Sequence, residues 1–202
     1  TIQLALDAAA GAGFPGADTV AVAKGTYAES LTVSSAVTLD GLTGVAADVT
    51  IDPAAGAGIT VSADGVTIQD LSVTGATDGV VATAAVGTLT LANVVVGDNP
   101  ATGAVETNTG IGLNLTGSGA AGSTLTLTNV RVAGNATQGL AVSGFETVNL
   151  TGLSATAAAG ATASSITLPA ASAAATLNIA STATAAQTFT VTGTSLQIGP
   201  TG

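Results

Sequence analysis

The sequence predicts an all-β fold, a parallel β-helix in which short strands stack into a solenoid behind a short N-terminal α-helix. The first sign is a recurring eight-residue phrase: VTLDGLTG (37–44), VTIQDLSV (66–73), LTLANVVV (89–96), LTLTNVRV (125–132), VNLTGLSA (148–155) and FTVTGTSL (189–196), with a weaker copy, ITLPAASA, at 166–173. Self-similarity of this kind marks repeat architectures. The second sign is spacing. Phrase starts lie 29, 23, 36, 23, 18 and 23 residues apart, and steps of roughly 20 suit one coil of a three-sided parallel β-helix. The third is composition. Of 202 residues 47% are hydrophobic and 2% aromatic, with Met and Trp absent and Tyr27 the single tyrosine. A wide globular core draws on aromatic bulk, whereas a narrow interior of stacked Val, Leu, Ile and Ala does not need it.

The elements follow in order. TIQLALDAAA (1–10) is the helix, because Ile2, Leu6 and Ala9 fall on one face while Gln3 and Asp7 turn elsewhere. GAGFPG (11–16) ends it through Gly and Pro. DTVAVAKGTYAESLTV then alternates apolar and polar residues, as strands do. Inside each phrase the period is two, so Leu125 and Leu127 face one way and Thr126 and Thr128 the other. The next residue is Gly41, Asp70, Asn93, Asn129, Gly152 or Gly193. These types best tolerate the left-handed backbone region, so a tight corner is expected there. A second strand follows, with Leu71 and Val73, Val94 and Val96, and Val130 and Val132 inward. The longest step holds DNPATGAVETNTG (98–110), a polar loop inserted at a corner. An antiparallel sandwich also gives short strands, but its strands need not share one corner residue.

The opening IQLALDAAAGAGFPGADTVAVAKGTYAESLTV, followed by VTLDG and VTID, resembles the start of right-handed parallel β-helix proteins of the pectin-lyase-like superfamily. In that superfamily an amphipathic helix plugs the N-terminal end, and a D-T-V-x-V-x-x-G-T-Y-x-E stretch begins the first coil. Here those residues are Asp18, Thr19, Val20, Val22, Gly25, Thr26, Tyr27 and Glu29. The resemblance covers the opening and the coils to about residue 155. It implies an all-β, right-handed single-stranded parallel β-helix with a short N-terminal capping helix. The scaffold serves lyases, tailspikes, adhesins and surface-layer subunits alike, so it implies little about function. One β-helix domain over 1–202 is expected: cap helix and turn at 1–16, regular coils at 17–153 with the insertion near 98–110, and Ala/Thr-rich, charge-free terminal coils at 154–202.

Charge narrows the function classes. Twelve acids against Lys24 and Arg131 give a net charge of −10. Binding nucleic acid needs clustered Lys and Arg to displace counterions, and docking on an anionic membrane surface needs the same. Neither partner is expected. No run of roughly 18 apolar residues is present to insert in a membrane. Cysteine is absent, so disulfides, thiolate chemistry and zinc–thiolate sites are excluded. The chain opens on Thr1 rather than Met, which suits a processed or excised piece of a longer chain.

Catalysis on a β-helix needs acids beside a base, and sugar recognition needs aromatic rings. Lys24 belongs to the KGTY turn and reads as a solvated corner residue, and Arg131 reads as a lone outward charge between Val130 and Val132. With no His and no acid pair beside a base, no catalytic residue is assigned and an enzyme is not expected. Asp40 in VTLD and Asp52 in VTID hold similar places and are expected near each other outside. Two carboxylates are too few for Ca²⁺, so they read as solubilising acids, and no metal or cofactor is expected. Thr38, Thr67, Thr90, Thr126, Thr167 and Thr190 share one phrase position, with Asn149 breaking the row. Thr suits an exposed strand, although a flat Thr row is also how several ice-binding proteins meet water. Sequons begin at Asn114, Asn135 and Asn149, the first two near expected corners.

After Glu146 the chain has no charged residue. A folded surface without charge is hard to keep soluble alone, and an open last coil invites strand addition. The expected function is therefore structural. The chain reads as an extracellular or cell-surface module, self-assembling as a homo-oligomer or polymer through its charge-free C-terminal coils in a surface layer, sheath or filament, or as an adhesin stalk. The alternative is a carbohydrate-binding or polysaccharide-degrading β-helix, and ice binding is a third reading.

Overall fold

The computed structural model describes residues 1–11, 18–98, 107–157, 161–162, 164–168, 176–180 and 190–192. Helix α1 (Ile2–Gly11) leads into β1 (Asp18–Val22), β2 (Gly25–Tyr27), β3 (Leu31–Val33) and β4 (Val37–Gly41). A 3-10 turn, η1 (Ala46–Asp48), precedes β5 (Val49–Ile51), β6 (Ile59–Val61), β7 (Val66–Val73), β8 (Val80–Val86) and β9 (Thr88–Gly97). Most of the expected insertion, 99–106, lies outside the described residues. Then come β10 (Ile111–Gly117), β11 (Thr124–Thr128), β12 (Arg131–Asn135), β13 (Gln138–Ser143), β14 (Thr147–Thr151) and β15 (Ser154–Ala157). The last are β16 (Ser165–Thr167), β17 (Thr176–Ala180) and β18 (Thr190–Thr192).

These strands form two parallel sheets. The first runs β1-β4-β7-β9-β11-β14-β17, widened by β2, β5, β12 and β15; the second runs β3-β6-β8-β10-β13-β16-β18. Each sheet is revisited in chain order with a visit to the other between, an all-β arrangement compatible with a β-helix.

Period-two alternation places the aliphatics inside. Val20, Leu39, Ile68, Leu91, Leu127 and Leu150 are level with one another across the first sheet, and each is buried. Leu31, Ile59, Val80, Leu113 and Leu140 do the same in the second sheet. Both columns join one hydrophobic cluster with fully buried Phe145. Each such side chain contributes about 1.5–3 kcal/mol by leaving water.

Helix α1 closes the N-terminal end as its pattern predicts, with Ile2 and Leu6 buried and Ala9 packed against the core. Its free amides have partners: Glu29 Oε1 and Oε2 accept from the backbone N–H groups of Ile2 and Gln3 at 2.9 and 3.2 Å. The Gln3 side chain completes the closure like a strand rung. Its Oε1 accepts from the Thr32 N–H at 2.7 Å and its Nε2 donates to the Thr32 carbonyl at 3.1 Å. The outer edge of β3 is thus occupied at that residue.

The corners mostly follow expectation. Asp70, Asn93 and Asn129 have φ of 59°, 52° and 52°, and Gly152 has 63°. Gly41 differs: its φ is not positive, and a Cβ there would overlap the Asp70 carbonyl oxygen. Close backbone approach, rather than a left-handed turn, requires glycine at 41. The chain then detours through η1, so β5 supplies the strand expected directly after Gly41. Gly193 lies outside the described residues.

The late phrases require a correction. Ile166 is level with Val142, and Val191 with Ile166, so these copies belong to the second sheet. The successor of β14 in the first sheet is β17, with Leu177 level with Val148. ITL and FTV share their alternation with the first-sheet phrase, but alternation is common to both sheets and does not identify either.

Candidate functional site

Lys24 and Arg131 are placed far from any shared centre. Lys24 Nζ lies 2.6 Å from Asp48 Oδ1, the last residue of η1. That hydrogen bond holds the Asp48 carboxyl below its usual value, with Thr43 and the Lys24 charge adding to it against partial desolvation. The pair fastens η1, which rests against β7 and β9. Ser72 has an outward place between Leu71 and Val73, yet is 0% exposed, on the strand against which η1 rests. Thr50 and Ser72 share a hydrogen bond of 3.0 Å in this enclosure, and Ser72 Oγ also donates to the Val49 carbonyl at 3.1 Å.

Arg131 lies outward between buried Val130 and Val132, as its pattern predicts. It is level with Val95 and Ser154, and its guanidinium stands 3.8 Å from Asp98 Oδ2. Its Nε is buried without a partner. Asp40 and Asp52 are not gathered into a pair: Asp40 is level with Gln69 and accepts from its Nε2 at 3.1 Å. Asp52 follows Ile51, which is level with Val73, beyond the Asp70 corner, and lies beside Gly75. Among the described residues no three of His, Cys, Asp and Glu gather as a metal-binding group. No helix there is long and apolar enough to cross a membrane.

The threonine row is the largest arrangement the sequence pointed to. Thr19, Thr38, Thr67, Thr90, Thr126 and Asn149 are level in turn across β1, β4, β7, β9, β11 and β14, and Asn178 of β17 is level with Asn149. Thr167 and Thr190 leave the row, being in the second sheet, level with Ser143 and Ser165. Two further rows flank it: Thr88, Thr124, Thr147 and Thr176 on one side, and Ala92, Thr128 and Thr151 on the other. The outer face of β9, β11 and β14 is thus seven threonines with Ala92 and Asn149, without charge or bulk. β11 pairs with both neighbours in unbroken register.

The sequons separate. Asn135 is fully buried, its Nδ2 donating to the Val96 and Ala133 carbonyls at 3.3 and 3.1 Å, so its amide is committed inside. Asn114 is in the middle of β10, half-buried, donating to Asp78 Oδ2 at 3.3 Å. Asn149 lies in β14.

Two ladders escaped the sequence reading. Asn108 and Asn135 stack inside: Asn108 Nδ2 donates to Asn135 Oδ1 at 2.9 Å, and Asn108 Oδ1 accepts from the Ala76 N–H at 3.0 Å. No single phrase spans these two residues, so periodicity gave no sign of them. Gly58, Gly79, Gly112 and Gly139 precede the level residues Ile59, Val80, Leu113 and Leu140 of the second sheet. A Cβ at Gly79 would overlap a Val96 methyl and lie 2.6 Å from the Gly112 carbonyl. The signal was in the sequence as GITV, GVVA, GLNL and GLAV. Asp64 marks a shallow cavity of about 230 Å³ with Gly87, Thr88, Ser118 and Ser123 on its wall. Its Oδ1 accepts from the Gly65 and Thr88 N–H groups, so the carboxylate braces the corner.

No protein-family model, curated protein or solved structure matches this chain.

Proposed function

We propose that the chain is a structural module, an extracellular or cell-surface right-handed parallel β-helix of the pectin-lyase-like superfamily that assembles with its own kind. In this reading it is a subunit of a surface layer, sheath or filament, or the stalk of an adhesin. The supporting observation is the uncharged, in-register outer face of β9, β11 and β14 in the first sheet, which runs into a stretch beyond Glu146 with no charged residue. Surfaces that meet water alone normally carry interspersed charge. The helix closing the N-terminal end favours contacts through the flanks or the far end over head-to-tail strand addition. The carbohydrate alternative has two outward bases in separate places, Lys24 against Asp48 and Arg131 facing Asp98. Negative-stain imaging and sedimentation of the chain at rising concentration test the proposal. Ordered sheets, fibres or defined oligomers are expected, and a monomer at every concentration overturns it.

A further inference from the structure

We propose that the outer face of the first sheet, centred on Thr90, Thr126 and Asn149, packs face to face against the same face of a second copy. The inference rests on the self-assembly reading and names its interface.

The chemistry of the face selects the partner. A chain of net charge −10 keeps every charge off the outward positions of β9, β11 and β14. The one acid in the adjoining rows, Asp40, is bonded to Gln69. A strongly basic partner would find no acids here, and a sugar would find no aromatic ring to stack on. A second copy brings a surface of identical rung spacing, neutral over β9, β11 and β14. Parallel strands repeat at about 4.8 Å and same-side residues at about 6.6 Å, so a two-fold axis matches rows to rows along their full length. Threonine suits the contact. Its β-branched side chain is stiff at χ1 and loses little freedom on packing, and each hydroxyl can both donate and accept across the seam. The methyl groups exclude water between sheets about 10 Å apart.

Size is consistent. Six strands from β1 to β14, with Asp40 the one acid in their adjoining outward rows and each contributing about five residues, make a footprint of about 480 Å² per copy. A pair covers about 1,000 Å², the lower bound for a specific contact. Such a joint is weak alone and suits a lattice in which several contacts act together.

Sedimentation of the full chain over a concentration series tests this with Thr126→Glu, with the exposed Thr88→Glu as a second variant, and with Thr60→Glu on the outer face of the second sheet. Circular dichroism and a thermal melt establish that each is folded; if Thr126→Glu is not, Thr88→Glu carries the test. Like charges meeting across the two-fold are expected to weaken association at least about tenfold, while Thr60→Glu associates as the parent does. Association unchanged in the first two variants overturns the proposed face and leaves self-assembly standing. A parent chain that stays monomeric overturns both, and thermal hysteresis from that monomer gives the face to ice instead.

Discussion

In the first sheet the chain turns at Asp70, Asn93, Asn129 and Gly152, where left-handed backbone is tolerated and the Asn93 side chain bonds down the stack to Asp70. Asn93 Nδ2 donates to Asp70 Oδ1 at 2.6 Å and to the Gly44 carbonyl at 3.1 Å. In four strands of the second sheet the level residue follows a glycine, Gly58, Gly79, Gly112 or Gly139, and at the first three a Cβ would strike the neighbouring strand. One sheet is held by what its corner side chains reach; the other depends on side chains being absent. The difference teaches that a repeat can be specified by an interaction or by a vacancy, and that the two fail differently. Loss of an interaction is local, whereas filling a vacancy pushes on the strand above and on the core.

The largest effect should come from the vacancy. Gly79→Ala places a methyl against Val96 and the Gly112 backbone, and overpacking of this kind costs about 3 kcal/mol. A thermal melt should fall by about 9 °C for a chain of this length. A change within 2 °C of the parent would mean that the second sheet yields easily and would remove the contrast.

The corner should cost less. Asn93→Ala sets a residue that tolerates left-handed backbone less well than asparagine at φ 52° and removes two hydrogen bonds, about 2 kcal/mol together. Asn93→Gly relieves the backbone and keeps only the lost bonds, about 1 kcal/mol. Denaturant titration of both variants separates the two causes. Equal losses would mean that φ is irrelevant and the side chain alone sets the corner.

The smallest effect concerns the pair that fastens η1. Asp48 is held below the usual aspartate value of 3.8 chiefly by its hydrogen bond from Lys24. A carboxylate depressed in the folded state stabilises above its unfolded pKa, and that contribution fades as pH falls through the lower folded value. Lys24→Ala should therefore melt slightly below the parent at neutral pH, and the two curves should converge as pH drops below 3.8. A gap that persists in acid would place the role of Lys24 in packing rather than charge.

Much of the fold was legible because alternation and corner chemistry are local. LTLTN tells which residues point inward, and Asn129 after it tells where the chain turns. The closing helix was legible from Ile2, Leu6 and Ala9, but its fastening by Glu29 and Gln3 was not, since those bonds join residues 26 to 29 positions apart. Sheet membership was the harder matter. Thr167 and Thr190 carry the same alternation as Thr126, and only pairing partners distinguish the sheets. Gly41 looked like the other corners because glycine answers two needs, freedom of φ and lack of a side chain. Of the candidate site, the central threonine row was visible, yet its two flanking rows emerged only with register. The burial of Asn135 was not legible, because a sequon says nothing about the side its amide faces.

The turn at η1 has a consequence for any neighbour that meets the first sheet. A surface built from equal rungs has no address: a partner displaced by one strand spacing finds nearly the same contacts, as with strands whose register is weakly specified. The detour through 42–48 interrupts that sameness once, over β7 and β9. It raises exposed Leu42 and Val45 beside an otherwise level array. One end of the array thereby differs from the other, and sliding along it acquires a stop. A single irregular segment can turn a repetitive wall into a surface with an origin and a direction.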